Sequence, residues 1–313
     1  MKVTAILCTY NRCKSLATAL DSLAASILPE TVEWEVLVVD NNSKDRTREV
    51  VDEFSQRYPG RFRYLFEPRQ GKSHALNTGI REAGGDVLAF LDDDVIVEPS
   101  WLRNLTEPLQ DSQWAGSGGR IFPAPGFLPP RWLALSGPNA MGGIVCAHFD
   151  LGDNARPLDR PPYGANMAFL RKMFDKYGDF RLDMGPCPGS QIRNEDTEFG
   201  RRLMAGGERL CYVPSAVVFH EIPKNRMTKE FFLAWWFDFG RAQIREVGIR
   251  PKAWKIPQHY LSIPNNVLRV LPLRTLRWLL TLNPQRRFYY KCFTWATAGM
   301  IVEIWNQSLD GRT

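Results

Sequence analysis

The sequence predicts an α/β fold, a mostly parallel central sheet flanked by helices and followed by a helical, basic and aromatic C-terminal extension. Three observations lead to it. In the first hundred residues, short apolar runs alternate with stretches of helical periodicity. The apolar runs VTAILCT, EVLVVD and DVLAFLD are nearly continuous instead of alternating, as in strands buried on both faces. The charge balance then inverts: residues 221–313 carry 15 Lys/Arg against 6 Asp/Glu, whereas the 220 before them carry 25 against 28.

The elements follow in order. VTAILCT is the first strand, and Leu16, Leu20 and Leu23 space residues 13–27 as a helix. EVLVVD (35–40) is the second strand. Ser43 stands as N-cap to a helix over 44–57 that turns Val50, Val51 and Phe54 inward. RFRYLF (61–66) is the third strand, 73–83 the next helix, and DVLAFLD the fourth strand. Residues 115–190, rich in Gly and Pro, predict loops with short strands, and PAPGFLPPRW no regular structure. RNEDTEFGRRLMAGG (193–207) reads as a helix, LCYVPSAVVFHE as two short strands around Pro214, and 228–248 as a long aromatic helix. In the tail, 265–309, Pro272 and Pro284 predict a break into at least two pieces.

Several classes are excluded early. A phosphate-binding loop of the GxxxxGK[ST] kind would need Gly where Phe66 stands, and the turn after the first strand, CTYNRC, has no GxGxxG. The cysteines at 8, 13, 146, 187, 211 and 292 form no CxxC pair and no zinc-finger spacing, which favours scattered reduced thiols over a disulfide framework. The N-terminus enters a strand pattern at once, so no signal peptide is expected. No nucleic-acid recognition motif accompanies the basic tail, so no nucleic-acid partner is expected. The longest uncharged run near the end, Cys292 to Val302, falls short of the ~20 residues a membrane-spanning helix needs.

Three polar clusters share one address. Thr9-Tyr10-Asn11, Asp40-Asn41-Asn42 and Asp92-Asp93-Asp94 all end apolar strands. In open α/β sheets ligands bind beyond the carboxyl ends of the strands. Like charges about 5 Å apart repel by roughly 3 kcal/mol at an effective dielectric near 20, so the three carboxylates call for solvent, a basic residue or a cation.

TYNR (9–12), VVDNNSKD (38–45), GKSHALNTG (71–79), FLDDDV (90–95), GANMAF (164–169), NEDTEFGRRL (194–203) and VVFHE (217–221), in this order, resemble family 2 glycosyltransferases of the GT-A fold over about residues 3–225. The resemblance implies a catalytic domain over 1–225, with a nucleotide-sugar half to about 110 and an acceptor half after it, and a helical extension over 226–313. It implies a nucleotide-sugar pocket of Thr9, Tyr10, Asn11, Arg12, Asp40, Asn42, Lys72, Asn77, Asp92 and Asp93. Asp40 would hold the base and Asp92 the ribose; Asp93 has no evident task of its own. Asp94 and His220 would ligate a divalent cation, Mn²⁺ or Mg²⁺, which hard oxygen ligands suit and an imidazole tilts toward Mn²⁺. Asp196 would be the general base, with Glu195 beside it either in an acceptor role or as an N-terminal helix charge. Gly164, Ala165 and Asn166 would approach the donor sugar or acceptor. Arg226 would close over the diphosphate or simply belong to the basic face.

A base on the acceptor implies inversion. The Gln-x-x-Arg-Trp motif of processive members is missing, since Arg277-Trp278 has no Gln before it. This implies single-residue transfer to a glycan or lipid-linked acceptor. The tail (Leu268, Leu271, Trp278, Leu279, Leu280 and Trp295 with Arg269, Arg274, Arg277, Arg286, Arg287 and Lys291) reads as a segment lying in an anionic membrane surface. The alternative is a helical extension packed on the catalytic domain. The first reading implies a cytoplasmic enzyme peripheral to the inner face of the cell membrane. A nucleotidyltransferase of related fold and an inactive nucleotide-sugar-binding or membrane scaffold are the competing functions.

Overall fold

A computed structural model describes residues 1–141, 143, 148–190, 192–247, 259–260 and 263–310; Cys146 and the side chain of Leu268 lie outside what it describes. The chain divides into two compact units. The first comprises Met1–Phe127, Cys146–Leu182 and Glu195–Ile222, the second Leu128–Val145, Asp183–Asn194 and Pro223–Thr313.

In the first unit the four expected strands, β1 (Lys2–Thr9), β2 (Glu33–Asp40), β3 (Phe62–Phe66) and β4 (Val87–Asp92), are parallel in the order β3-β2-β1-β4. Helices α1 (Cys13–Ala24), α2 (Thr47–Arg57) and α3 (Lys72–Glu82) connect them. Their continuous apolar sequences are explained by burial: Ala5, Ile6, Leu7, Val36, Leu37, Val38, Val39, Leu88 and Ala89 are fully enclosed. Beyond β4 the sheet becomes mixed. After β5 (Val95–Val97), α4 (Trp101–Thr106), β6 (Gly116–Pro123), β7 (Arg156–Pro157), β8 (Met167–Leu170), α5 (Arg171–Tyr177), α6 (Glu195–Ala205) and β9 (Leu210–His220), the full order is β3-β2-β1-β4-β8-β6-β9-β5, with β7 on β9.

The two short strands expected around Pro214 are one strand, β9. Its pairing with β6 jumps from Gly119↔Val213 to Arg120↔Val217. A bulge there absorbs the proline, which has no N–H to give the ladder. Another feature prepares the site: Phe90, Phe169, Phe174, Phe180 and Phe199 form one aromatic cluster, with Phe174 and Phe199 stacked at 4.4 Å. Phe199 lies in the second turn of α6, so this cluster fastens the N-terminal half of α6 to the sheet. Burying each ring contributes about 2 kcal/mol.

The second unit is mainly helical: α7 (Lys229–Val247), α8 (Asn265–Leu280) and α9 (Pro284–Asp310), with a small hairpin of β10 (His259–Tyr260) and β11 (Ile263–Pro264). A Cβ on Gly240 would stand 1.9 Å from the Ala296 carbonyl oxygen, and one on Gly299 1.9 Å from that of Phe237, so the backbones of α7 and α9 touch through two glycines. Glu303, buried on α9, takes Arg241 at 3.0 Å and Arg245 at 2.6 Å. Pro272 does not break the tail but lies inside α8 on its exposed side, where water can satisfy the carbonyl that loses its donor. Pro284 does mark the break, standing at the first position of α9, where an N–H has no intrahelical partner. Among the described residues no helix is long and apolar enough to cross a membrane.

Candidate active site

Strand order reverses at β1, which has β2 on one side and β4 on the other. This is the switch point where α/β sheets open a crevice. The register places Thr9 beside Asp40 and Cys8 beside Asp92, so the predicted strand-end residues stand in one row. Asp40 is buried; its Oδ1 accepts the Ser43 N–H at 2.8 Å and its Oδ2 the Tyr64 hydroxyl at 2.8 Å. The loop is completed by Asn11 and Asn42, both at positive φ (53° and 66°), a conformation asparagine tolerates better than most residues. Asn11 receives the Lys44 N–H on its Oδ1 at 2.6 Å, while Tyr10 stays nearly half exposed at the mouth. The buried Asn41 donates to the carbonyls of Glu67 and Arg69 and accepts the Gly71 N–H, tying this loop to the start of α3.

The three aspartates divide among Lys72, Arg12 and His220. Asp92 receives Lys72 Nζ at 2.8 Å, and the same ammonium reaches Glu195 at 3.4 Å. Burial alone would lower the Lys72 pKa, but Asp92, Glu195 and Asp196 together raise it well above the usual lysine value, so it stays charged. Asp93 and Asp94 share one guanidinium nitrogen: Arg12 Nη1 lies 2.8 Å from Asp93 and 2.7 Å from Asp94. This answers what the sequence leaves open about Asp93, whose partner is Arg12. Burial nevertheless pushes the Asp93 carboxyl up to about 6.

His220 arrives by sheet pairing. β5 leaves the acidic turn and runs antiparallel to the end of β9, with Val95 opposite His220 and the Glu221 N–H on the Asp94 carbonyl at 2.8 Å. His220 Nε2 therefore lies 3.2 Å from Asp94 Oδ1. Donor atoms of Asp92, Asp94 and His220 fall within 4.8 Å of one another, and His220 Nδ1 is buried without a hydrogen-bond partner among the described residues. Two hard carboxylate ligands and one imidazole fit a divalent cation of the Mn²⁺ or Mg²⁺ class.

Asp196 opens α6 and is partly exposed. Its Oδ2 accepts the Gly164 N–H and its Oδ1 the Thr197 N–H. Burial, then the neighbouring Glu195, raise its pKa to about 6 against the pull of Lys72 and these two N–H groups. A Cβ on Gly164 would stand 2.9 Å from Asp196 Oδ2, so glycine is what lets that N–H approach. The result is a carboxylate oriented by the backbone and open to solvent at one edge.

Asn77, Asn166, Ala165 and Glu195 are engaged by the fold itself. Asn77 is buried and exchanges both amide bonds with the backbone of Phe180 (Nδ2 to the carbonyl at 2.8 Å, Oδ1 from the N–H at 3.0 Å), so it clamps the fold instead of lining the donor pocket. Asn166 is fully enclosed; it donates to the carbonyls of Arg120 and Ala216 and accepts Trp101 Nε1, so nothing is left for an acceptor. Ala165 beside it is also buried. Glu195 is buried against Lys72 and is placed to position that cation. Arg226 ends a short 3-10 turn, Lys224–Arg226, in the second unit. Tyr64 is a site-building residue the sequence does not single out, since mid-strand its pattern signals only a strand; Asn41 lies in the expected strand-end cluster, but its side chain ties the loop to α3.

Arg12 offers a direct test of the ion-pair arrangement. Arg12→Ala leaves two buried carboxylates without their shared cation and is expected to destabilise the metal-free chain by about 2–4 kcal/mol. Added Mn²⁺ should recover part of the loss in urea denaturation. A change below about 0.5 kcal/mol, the size typical of an ordinary surface position, would contradict the arrangement.

The family model described as "Glycosyl transferase family 2" matches residues 4–178. Among curated proteins, the succinoglycan biosynthesis protein ExoM of Rhizobium meliloti is 32% identical over 229 residues, 73% of this chain and 68% of that one. The glucosyl-dolichyl phosphate glucuronosyltransferase of Haloferax volcanii is 26% identical over 252 residues, 77% and 76% of the two chains. Among solved structures, the mannosyltransferase PcManGT from Pyrobaculum calidifontis, in complex with GDP-Man and Mn²⁺, superposes with a TM-score of 0.66 at 20% identity, covering 97% of this chain and 87% of that one. That likeness is one of fold.

Proposed function

The chain belongs to glycosyltransferase family 2 and has its GT-A fold, and from that premise we propose that it transfers one sugar, with inversion, from a UDP-linked donor to a hydroxyl of a glycan or lipid-linked acceptor. The observation that carries this reading is a pair of carboxylate sites of opposite character in one unit. Asp92 and Asp94, with His220, have the chemistry of a cation site; Asp196 is oriented, partly exposed and raised to about 6. Lys72 links the two by bonding Asp92 on one side and Glu195 on the other.

In the reaction, an acceptor oxygen attacks the anomeric carbon as Asp196 takes its proton. The bond from that carbon to the diphosphate oxygen breaks, and its electron pair leaves with the nucleoside diphosphate. Asp92, Asp94 and His220 would hold a divalent cation, which when bound would supply charge neutralisation for that leaving group. Asp40, Thr9, Asn11 and Asn42 form the base end of the donor pocket, in a donor half reaching to about residue 110, with the acceptor half following. Lys72 keeps the cluster charged and ordered.

Family membership with ExoM and a glucosyl-dolichyl phosphate glucuronosyltransferase among the relatives supports an acceptor of glycan or lipid-linked type. The basic second unit supports a peripheral enzyme on the inner face of the cell membrane. The test is release of UDP or GDP from a panel of nucleotide-sugars with Mn²⁺, with and without EDTA. Metal-dependent UDP release is expected. Pyrophosphate release from a nucleoside triphosphate plus a sugar phosphate, with no diphosphate release, would favour the nucleotidyltransferase instead.

A further inference from the structure

The second unit sorts the tail residues into two sets. Arg274 lies over the Phe293 ring and donates to Thr297 Oγ1 at 2.6 Å. Trp278 and Trp295 meet edge to face at 5.7 Å, with Lys291 Nζ about 5 Å from both rings. These side chains, expected from sequence to face lipid, are what joins α8 to α9. The other set faces solvent: Leu273 (61% exposed), Leu276 (51%), Leu279 (55%) and Leu280 (70%) on α8, and Leu282 (95%) just past its end.

At ~100° per residue, Leu273, Leu276 and Leu280 share one stripe about 60° wide, in which Arg269 also falls; Arg277 borders it. Arg269 and Arg277 are exposed, as are Arg286 and Arg287 at the start of α9. From Asn265 to Val302 the chain has no Asp or Glu. A soluble helix does not ordinarily leave a leucine stripe open to water. A second copy docking through the same patch would set arginine against arginine, with no Asp or Glu on α8 or on α9 up to Val302 to pair them.

We propose that this leucine face of α8 is a docking surface for an anionic lipid bilayer. α8 lies in the plane of the interface, with Leu273, Leu276, Leu279, Leu280 and Leu282 among the acyl boundary and Arg269 and Arg277 at the phosphates. The inference rests on the peripheral-enzyme reading above and names its surface and lipid class; it does not depend on the transfer chemistry.

The experiment is flotation of the full chain with vesicles of phosphatidylcholine alone and of phosphatidylcholine with phosphatidylglycerol. Binding is expected only with the anionic lipid and should weaken as NaCl is raised. The double variant Leu276→Asp, Leu280→Asp is expected to lose at least ~10-fold in binding, and Arg269→Gln, Arg277→Gln about 30-fold. Both pairs are exposed, so unchanged circular dichroism and unchanged UDP release with a soluble acceptor are expected. A wild type that does not float, a leucine variant that floats like wild type, or a dimer by light scattering that the leucine variant abolishes would each overturn the proposal. Absence of UDP release from the wild type would instead count against the transferase reading and leave the flotation result standing.

Discussion

Asp196→Asn is expected to lower kcat by about a thousandfold, within the range a positioned general base supplies, while donor affinity stays near wild type. The carboxylate is the group that takes the acceptor proton, and the amide has no free basic lone pair to replace it. Since burial raises the Asp196 pKa to about 6 in the free enzyme, the wild-type kcat/KM should fall about tenfold per pH unit below pH 6 and level off above it, because only the deprotonated form acts. Burial sets this value first, followed by Glu195 on the same helix, which raises it, and by Lys72 from α3 and the Gly164 and Thr197 N–H groups, which lower it, with Tyr163 nearby. The residual activity of the variant should lack that limb.

The same substitution has a second expected result, of opposite sign for stability. A carboxyl whose folded pKa is raised costs stability once it ionises: nothing below the unfolded value near 4, and the full amount above about 6. A rise from 3.8 to about 6 corresponds to at most ~3 kcal/mol. Asp196→Asn should therefore be about 1–3 kcal/mol more stable than wild type at pH 7 and no more stable at pH 4. Urea denaturation at the two pH values measures this. A variant that is fully active, or equally stable at both, would remove Asp196 from the role of a raised base.

Asp94→Asn is the other large effect. Asp94 is the most connected of the three aspartates, with one oxygen 3.2 Å from His220 Nε2 and the other 2.7 Å from Arg12. An amide is a weaker ligand for a hard cation and leaves Arg12 with Asp93 alone. Loss of the several kcal/mol a cation contributes to charge neutralisation predicts a fall in kcat of ~10³. Mn²⁺ titrated by calorimetry in the absence of donor gives a readout independent of turnover and should show binding weakened at least tenfold. A variant that binds Mn²⁺ as tightly as wild type would place the cation elsewhere.

How much of this was legible follows from the kind of force involved. Strands buried on both faces must be continuously apolar, so the places where β1, β2 and β4 end in Thr9, Asp40 and Asp92 could be read directly, and with them the crevice. The helix opened by Glu195-Asp196 was legible from its charges and the hydrophobic spacing behind them. Asn77 and Asn166 were read as ligand contacts because they stand inside recognisable motifs. Sequence cannot say which way a buried amide turns, and both turn inward to satisfy backbone groups that burial would otherwise leave unpaired. Trp278, Trp295, Arg274 and Lys291 belong to the same lesson: amphipathic composition announces an interface, but packing of α8 on α9 decides which of its residues remain outside.

The parallel half of the sheet, the crevice at its strand ends and the acidic and basic candidates could be read along the chain, because apolar patterning and strand period are local properties. Tertiary structure alone decided who neutralises whom: Arg12 on Asp93 and Asp94, Lys72 on Asp92 and Glu195, His220 against Asp94. Ion pairing falls off with distance in space, not along the chain, and only the pairing of β5 with β9 and the seating of α6 on its aromatic cluster bring those charges within reach.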